Sequence, residues 1–107
     1  MTEAQSVRHA ENSVLAWDRI LLYFTRAECT ECRRLGTRIS RLGQRYDDLE
    51  VVHINLDVLP GAAGRYLIFD VPGLILYIRG KPVARYNGGV DYQQLRQIVD
   101  ESAPEED

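Results

Sequence analysis

The run Ile20-Leu21-Leu22-Tyr23-Phe24-Thr25-Arg26-Ala27-Glu28-Cys29-Thr30-Glu31-Cys32 sets the frame for everything around it. Its first five residues form an unbroken apolar run of strand length, the pattern of a central strand covered on both faces. Thr25 to Glu28 is a short polar loop. Cys29 then opens a helical segment that reaches about Tyr46. Leu35, Ile39, Leu42 and Tyr46 make its apolar stripe, and Arg33, Arg34, Arg38, Arg41 and Arg45 crowd the remaining surface. Gly36 weakens that helix by about 1 kcal/mol relative to alanine, so packing must compensate. Two thiols at the start of a helix make a redox device. Disulfide exchange needs one thiolate to attack and a second thiol to resolve the mixed disulfide.

Working outward, Glu50 to Leu56 reads as the next strand, with Val51, Val52, Ile54 and Leu56 apolar and His53 and Asn55 between them. Strand, helix, strand is a βαβ unit, whose right-handed crossover makes the two strands parallel. Upstream, residues 3–16 read as a helix carrying Val7, Ala10, Val14 and then Trp17 at three- and four-residue steps. Downstream, a turn-rich stretch holds a short helix around Gly61 to Leu67. Val71-Pro72-Gly73 precedes an apolar strand, Leu74 to Ile78. Arg79-Gly80-Lys81 is a tight turn. Pro82 to Tyr86 is a short strand whose leading proline suits a sheet edge. After Asn87-Gly88-Gly89, Val90 or Asp91 opens a last helix with Leu95, Ile98 and Val99 inward. Ser102 to Asp107 is an acidic tail, expected to fray.

The 107 residues suffice for one domain with a real core, and we expect a single domain over 1–107. The hydrophobic share of 45% and charged share of 27% are those of an ordinary globular protein. A net charge of −3 argues against bulk nucleic-acid binding. Lys81 is the one lysine among thirteen cations, a bias with no functional reading beyond composition. No apolar run approaches the length of about 18 residues that a membrane span needs. Met1 to Asn12 is polar and lacks a secretory apolar core. The expected compartment is therefore the cytoplasm, where disulfides do not persist as staples. A lone Cys-x-x-Cys there points to redox or metal chemistry.

Cys29 sits where unpaired backbone N–H groups favour a negative sulfur, and Cys32 lies one turn on, on the same helical face. Cys29 is thus the attacking sulfur and Cys32 the more buried, resolving one. A helix terminus contributes roughly 0.3–1 kcal/mol, less than one pKa unit. Glu28 and Glu31 oppose ionisation, while Arg26, Arg33 and Arg34 favour it. The sum is a modestly activated thiol. Two other readings stand beside this one. Structural zinc usually takes four ligands, and only His9 and His53 remain to join the cysteines. A buried, inert pair is the second, though Cys29 follows the polar Arg26-Ala27-Glu28 rather than an apolar run.

With the thiol pair between strand and helix and a proline before the third strand, the chain resembles the thioredoxin superfamily. The likeness runs from about residue 5 to 101 and is closest to small, single-domain bacterial thioredoxin-like proteins. It rests on Tyr23-Phe24-Thr25-Arg26-Ala27-Glu28-Cys29, Ile54-Asn55-Leu56-Asp57, Val71-Pro72-Gly73-Leu74-Ile75-Leu76-Tyr77 and Arg79-Gly80-Lys81-Pro82-Val83, in that order. The resemblance implies an α/β fold: a thioredoxin-like three-layer α/β/α sandwich with a central mixed four-stranded sheet. The implied spatial order is 50–56, 20–25, 74–79, 82–87, with the first two strands parallel and the last two antiparallel to them. The family's first strand would be missing or replaced by the N-terminal helix. The resemblance also implies a cis Val71-Pro72 peptide beside the disulfide, with Val71 pairing its backbone with substrate. In isolation the residues favour a trans proline that simply begins a strand.

The chain departs from the family pattern at several places. Glu28 stands in place of a tryptophan, Thr30-Glu31 in place of Gly-Pro, and Gly73 follows the proline where threonine is common. Tyr23 occupies the position of a buried aspartate, and His53 that of a lysine. Tyr23 and His53 are candidates for a proton relay, since histidine titrates near neutrality. Both also read as core filler. The arginine-rich helix face reads as a solvated surface more readily than as a site for an acidic partner. The expected activity is thiol–disulfide oxidoreduction that reduces protein disulfides, with no bound cofactor, no metal and an external dithiol as reductant. We expect a monomer that binds neither nucleic acid nor membrane. The alternative is a non-catalytic adaptor or redox-sensing module on the same fold.

Overall fold

The computed structural model describes residues 1–105. In chain order the elements are β1 (Thr2–Glu3), α1 (Val7–Ala16), β2 (Arg19–Thr25), α2 (Thr30–Gln44), β3 (Leu49–Asn55), α3 (Gly61–Tyr66), β4 (Gly73–Ile78), β5 (Lys81–Asn87) and α4 (Tyr92–Glu101). The sheet is mixed and five-stranded, in the order β1-β3-β2-β4-β5. β1 and β2 both run parallel to β3. β4 is antiparallel to β2, and β5 is antiparallel to β4.

Every residue of β2 is buried: the apolar run Ile20 to Phe24 as its composition requires, and Arg19 and Thr25 at its two ends as well. Side chains alternate across the sheet. Ile20, Leu22 and Phe24 pack with Ala10 and Val14 of α1 and Ala62 and Tyr66 of α3. Leu21 and Tyr23 pack with Ile39 and Leu42 of α2 and Leu95 and Val99 of α4. The sheet is thus flanked by helices on both faces. Asp91 caps α4 by accepting from the Gln94 N–H, and Ser6 caps α1 by accepting from the His9 N–H. The two-residue link Arg79-Gly80 has positive φ at both positions, 50° and 80°. That is the geometry a tight hairpin between twisted strands prefers.

Three expectations are corrected. The sheet has five strands, not four: Thr2 and Glu3 pair with Val52 and His53, so a short first strand is present rather than replaced by a helix. The first helix accordingly begins at Val7 and not at residue 3, and Trp17 is its half-exposed C-cap rather than part of the buried stripe. The last two strands are not both antiparallel to the first two; β5 reverses against β4 and so shares the direction of β2. A two-residue strand is too short to show a period, which is why the sequence pattern absorbed it into the helix. The order of the other four strands is as the resemblance implied. Of the tail, Ser102 is fastened: its hydroxyl accepts from Arg19 at 3.1 Å and donates to the Val99 carbonyl at 3.2 Å. Residues 106–107 lie outside the described residues.

Candidate active site

Cys29 is the N-cap of α2, one residue before the helix begins. Its extended backbone (φ −140°, ψ 98°) turns Sγ back over the first turn, where it accepts from the Cys32 N–H at 3.1 Å. A sulfur thus takes the place usually filled by a serine or aspartate oxygen, and meets the positive end of the helix. Cys29 and Cys32 are joined as a disulfide with Cα atoms 5.2 Å apart. Cys29 is half-buried, whereas Cys32 is only 4% exposed.

The loop ahead of Cys29 is pinned from the segment just after β3. Leu56 N–H donates to the Thr25 carbonyl at 2.8 Å. Asp57 accepts from the Ala27 N–H at 2.7 Å and pairs with Arg26 at 3.4 Å. The Arg33 guanidinium reaches the Ala27 carbonyl at 3.4 Å and Thr30 Oγ1 at 3.3 Å. Glu28 and Glu31 are exposed beside the disulfide.

Beneath the helix start, Tyr23 is buried and donates its hydroxyl to the Cys32 carbonyl at 2.6 Å. Burial pushes its phenol up to about 12. The Tyr23 and His53 rings lie 6.0 Å apart, as cross-strand neighbours in the β2–β3 register. His53 Nε2 is 2.6 Å from Thr25 Oγ1, and its Nδ1 makes a close contact with Glu3 Oε1. Cys32, Tyr23, Thr25 and His53 all line one cavity of about 700 Å³ that opens to solvent.

The Val71–Pro72 peptide is cis. Pro72 is buried and, with Glu31 and Arg34, lines a groove of about 170 Å³ against the first turns of α2. Among the described residues Val71 takes part in no backbone hydrogen bond outside the helices and the sheet. Gly73 is required by its neighbours: a Cβ there would lie 2.5 Å from Ile68 Cγ2 and 3.4 Å from Phe24 Cβ. No group of three or more His, Cys, Asp or Glu side chains among the described residues is placed to hold a metal ion. No helix among them is long and apolar enough to cross a membrane.

The residues singled out in the sequence therefore gather around the start of α2, with Cys29 and Cys32 bonded, Tyr23 and His53 beneath, and Val71-Pro72 alongside. Sequence reasoning missed Thr25, Asp57 and Glu3. Thr25 was legible through period-two alternation, which turns it to the same sheet face as Tyr23. Glu3 was hidden by its misassignment to a helix.

The thioredoxin family profile matches residues 3–101. The thioredoxin-like protein YdfQ of Bacillus subtilis is 30% identical over 97 residues, covering 91% of this chain and 87% of that protein. Thioredoxin 1 of Chlorobaculum tepidum is 33% identical over 72 residues, covering 66% of this chain and 71% of that one. Among solved structures, a point mutant of a Halobacterium salinarum thioredoxin superposes with a TM-score of 0.85 at 22% identity, over 99% of this chain and 93% of that one. The thiol pair at the helix start and the family profile agree: this chain belongs to the thioredoxin family and is a thiol–disulfide oxidoreductase of the Cys-x-x-Cys type.

Proposed function

We propose that this protein runs as a reductant of protein disulfides in the cytoplasm, with Cys29 as the attacking sulfur and Cys32 as the resolving one. The observation that carries the assignment is the asymmetry of the pair: Cys29 at the helix cap, half-buried, with a backbone N–H on its sulfur, and Cys32 almost sealed. In the reduced protein the Cys29 thiolate attacks one sulfur of a substrate disulfide. A mixed disulfide forms, and the other substrate sulfur leaves with the electron pair. Cys32 then attacks Cys29 Sγ, the second substrate sulfur departs as a thiolate, and the protein is left oxidised. An external dithiol restores both thiols.

The reducing direction rests on the charges beside the pair: Glu28 and Glu31 flank Cys29 and oppose its thiolate, and Arg26 is paired with Asp57, whereas a strong oxidant needs a well-stabilised thiolate. Val71, beside the cis bond, is the natural place for an extended substrate segment to pair its backbone, with Pro72 shaping the wall. Tyr23 is committed to the Cys32 carbonyl and stays protonated at neutral pH. It holds the helix start, and His53 is the other candidate for the relay. The chain acts as one domain and as a monomer.

Insulin reduction by dithiothreitol tests the reading. The protein at micromolar concentration should accelerate precipitation of the insulin B chain well above dithiothreitol alone, and Cys29→Ser should return the rate to that baseline. No acceleration by the native protein would leave an adaptor or redox-sensing module as the better account.

A further inference from the structure

The resolving step has an unsolved proton. Cys32 must lose its S–H before it attacks, yet it is only 4% exposed and Tyr23, the polar side chain bonded to its backbone, is a donor to its carbonyl. Cys32 also lines the cavity of about 700 Å³, which opens to solvent. Its wall carries Thr25, Thr37, Ser40, His53 and Asn55, enough polar groups to hold solvent. Among the described residues no carboxylate lines it. Behind the wall, Thr25 Oγ1 meets His53 Nε2 at 2.6 Å and His53 Nδ1 meets the Glu3 carboxylate. The second pairing exists because β1 lies in register, Glu3 opposite His53, held by the Ala4 N–H on the His53 carbonyl at 2.9 Å.

We propose that Thr25, His53 and Glu3 form a proton relay that serves Cys32 through this cavity, with β1 as the strand that completes it. It rests on the assignment of Cys29 as attacker and Cys32 as resolver. The Cys32 proton passes to solvent water in the cavity. Thr25 accepts a proton from that water as its own hydroxyl proton moves to His53 Nε2. The Cys32 thiolate then forms the bond to Cys29 Sγ, the bond from Cys29 to the outgoing sulfur breaks, and the electron pair leaves on that sulfur. The imidazolium later returns its proton to solvent. Glu3 is a positioning residue: its carboxylate fixes Nδ1 as the protonated nitrogen, leaving Nε2 free to accept. The groups against His53 are Glu3 from β1 and Tyr23 and Thr25 from β2, and the charged and titratable residues that line the cavity with it are Met1, Arg26, Cys32, Arg33 and Arg41.

Reduced protein mixed with 5,5′-dithiobis(2-nitrobenzoate) reports both steps. The first burst of thionitrobenzoate marks attack by Cys29, and the second marks resolution by Cys32. In His53→Gln the second phase at pH 7 should slow about tenfold or more while the first is unchanged. It should recover the native rate only where an unassisted thiol ionises, about pH 8.5. Thr25→Val should behave the same way, Thr25→Ser should restore the rate, and Glu3→Gln should slow the second phase about two- to threefold. A native second phase in His53→Gln, or equal slowing of both phases in every variant, overturns the relay. Slowing in His53→Gln with none in Thr25→Val overturns the connected string. If Cys29→Ser still shows a native first burst, the underlying assignment of the sulfurs fails instead.

Discussion

Tyr23 shows how one side chain can tie acid–base behaviour to stability. Its folded pKa is raised to about 12 by burial, above the ordinary value of 10.0. The folded state therefore holds the phenolic proton more tightly than the unfolded chain does. The stabilisation is fully present below pH 10 and is lost as pH rises toward 12, because ionisation must then be suppressed or the residue exposed. Urea unfolding across pH 9 to 12 should show stability falling in that window. Tyr23→Phe should flatten part of the fall and leave the share due to the other raised phenols, among them Tyr66, whose buried phenol is likewise raised to about 12. At neutral pH the same variant loses the bond to the Cys32 carbonyl, a cost of about 1 kcal/mol. Individual residues were the least legible part of the sequence. Cys29 and Cys32 announce themselves by spacing. Thr25 and Glu3 do not, because their meaning comes from strand register, which no local pattern reveals. Arg19 was passed over because a charged residue is rarely a fully buried strand position.

At the scale of an element, α2 carries two glycines with opposite meaning. Gly36 faces Tyr23, and an added Cβ would sit 3.6 Å from Tyr23 Cε2, an ordinary contact. Gly36→Ala should stabilise the fold by about 0.5–1 kcal/mol, since alanine suits a helix interior better. Gly43 lies against β3, and a Cβ there would fall 2.5 Å from Val51 Cγ2. Overpacking of that kind costs about 1–3 kcal/mol and outweighs the helical gain. Gly43→Ala should therefore lower the urea midpoint while Gly36→Ala raises it, measured side by side. Sequence periodicity placed this helix and its stripe to within two residues. It could not rank the glycines, because the difference lies in how closely the neighbouring strand approaches. The same limit explains β1: without a repeat to read, two residues joined the nearest periodic segment, and the fifth strand went unseen.

Across the whole molecule, β2 links two distinct ends. At one end Arg19, 2% exposed, pairs with Asp48 through two nitrogens at 2.7 and 3.0 Å. It also donates to the Val99 carbonyl at 2.6 Å and lies 4.7 Å over the Tyr46 ring. The turn after α2 and the end of α4 are thereby locked to the central strand. Arg19→Ala leaves Asp48 partly buried and unpaired, and should cost about 3–5 kcal/mol. Thermal unfolding would show this as a drop of many degrees. Arg19→Met, which restores apolar volume, should recover part of the loss. The α/β architecture was largely visible in advance, because an apolar run, a helical stripe and a second apolar run leave few topologies. The direction of β5 was not, since edge strands answer to a single neighbour.

The seven residues of β2 stand between that lock and the sulfurs, and a strand of this length spans about 20 Å. Robustness and reactivity thus occupy opposite poles of one rod. An engineer could toughen the arginine pole without retuning the other, and a library screened for heat tolerance there should return variants whose electron chemistry is unaltered.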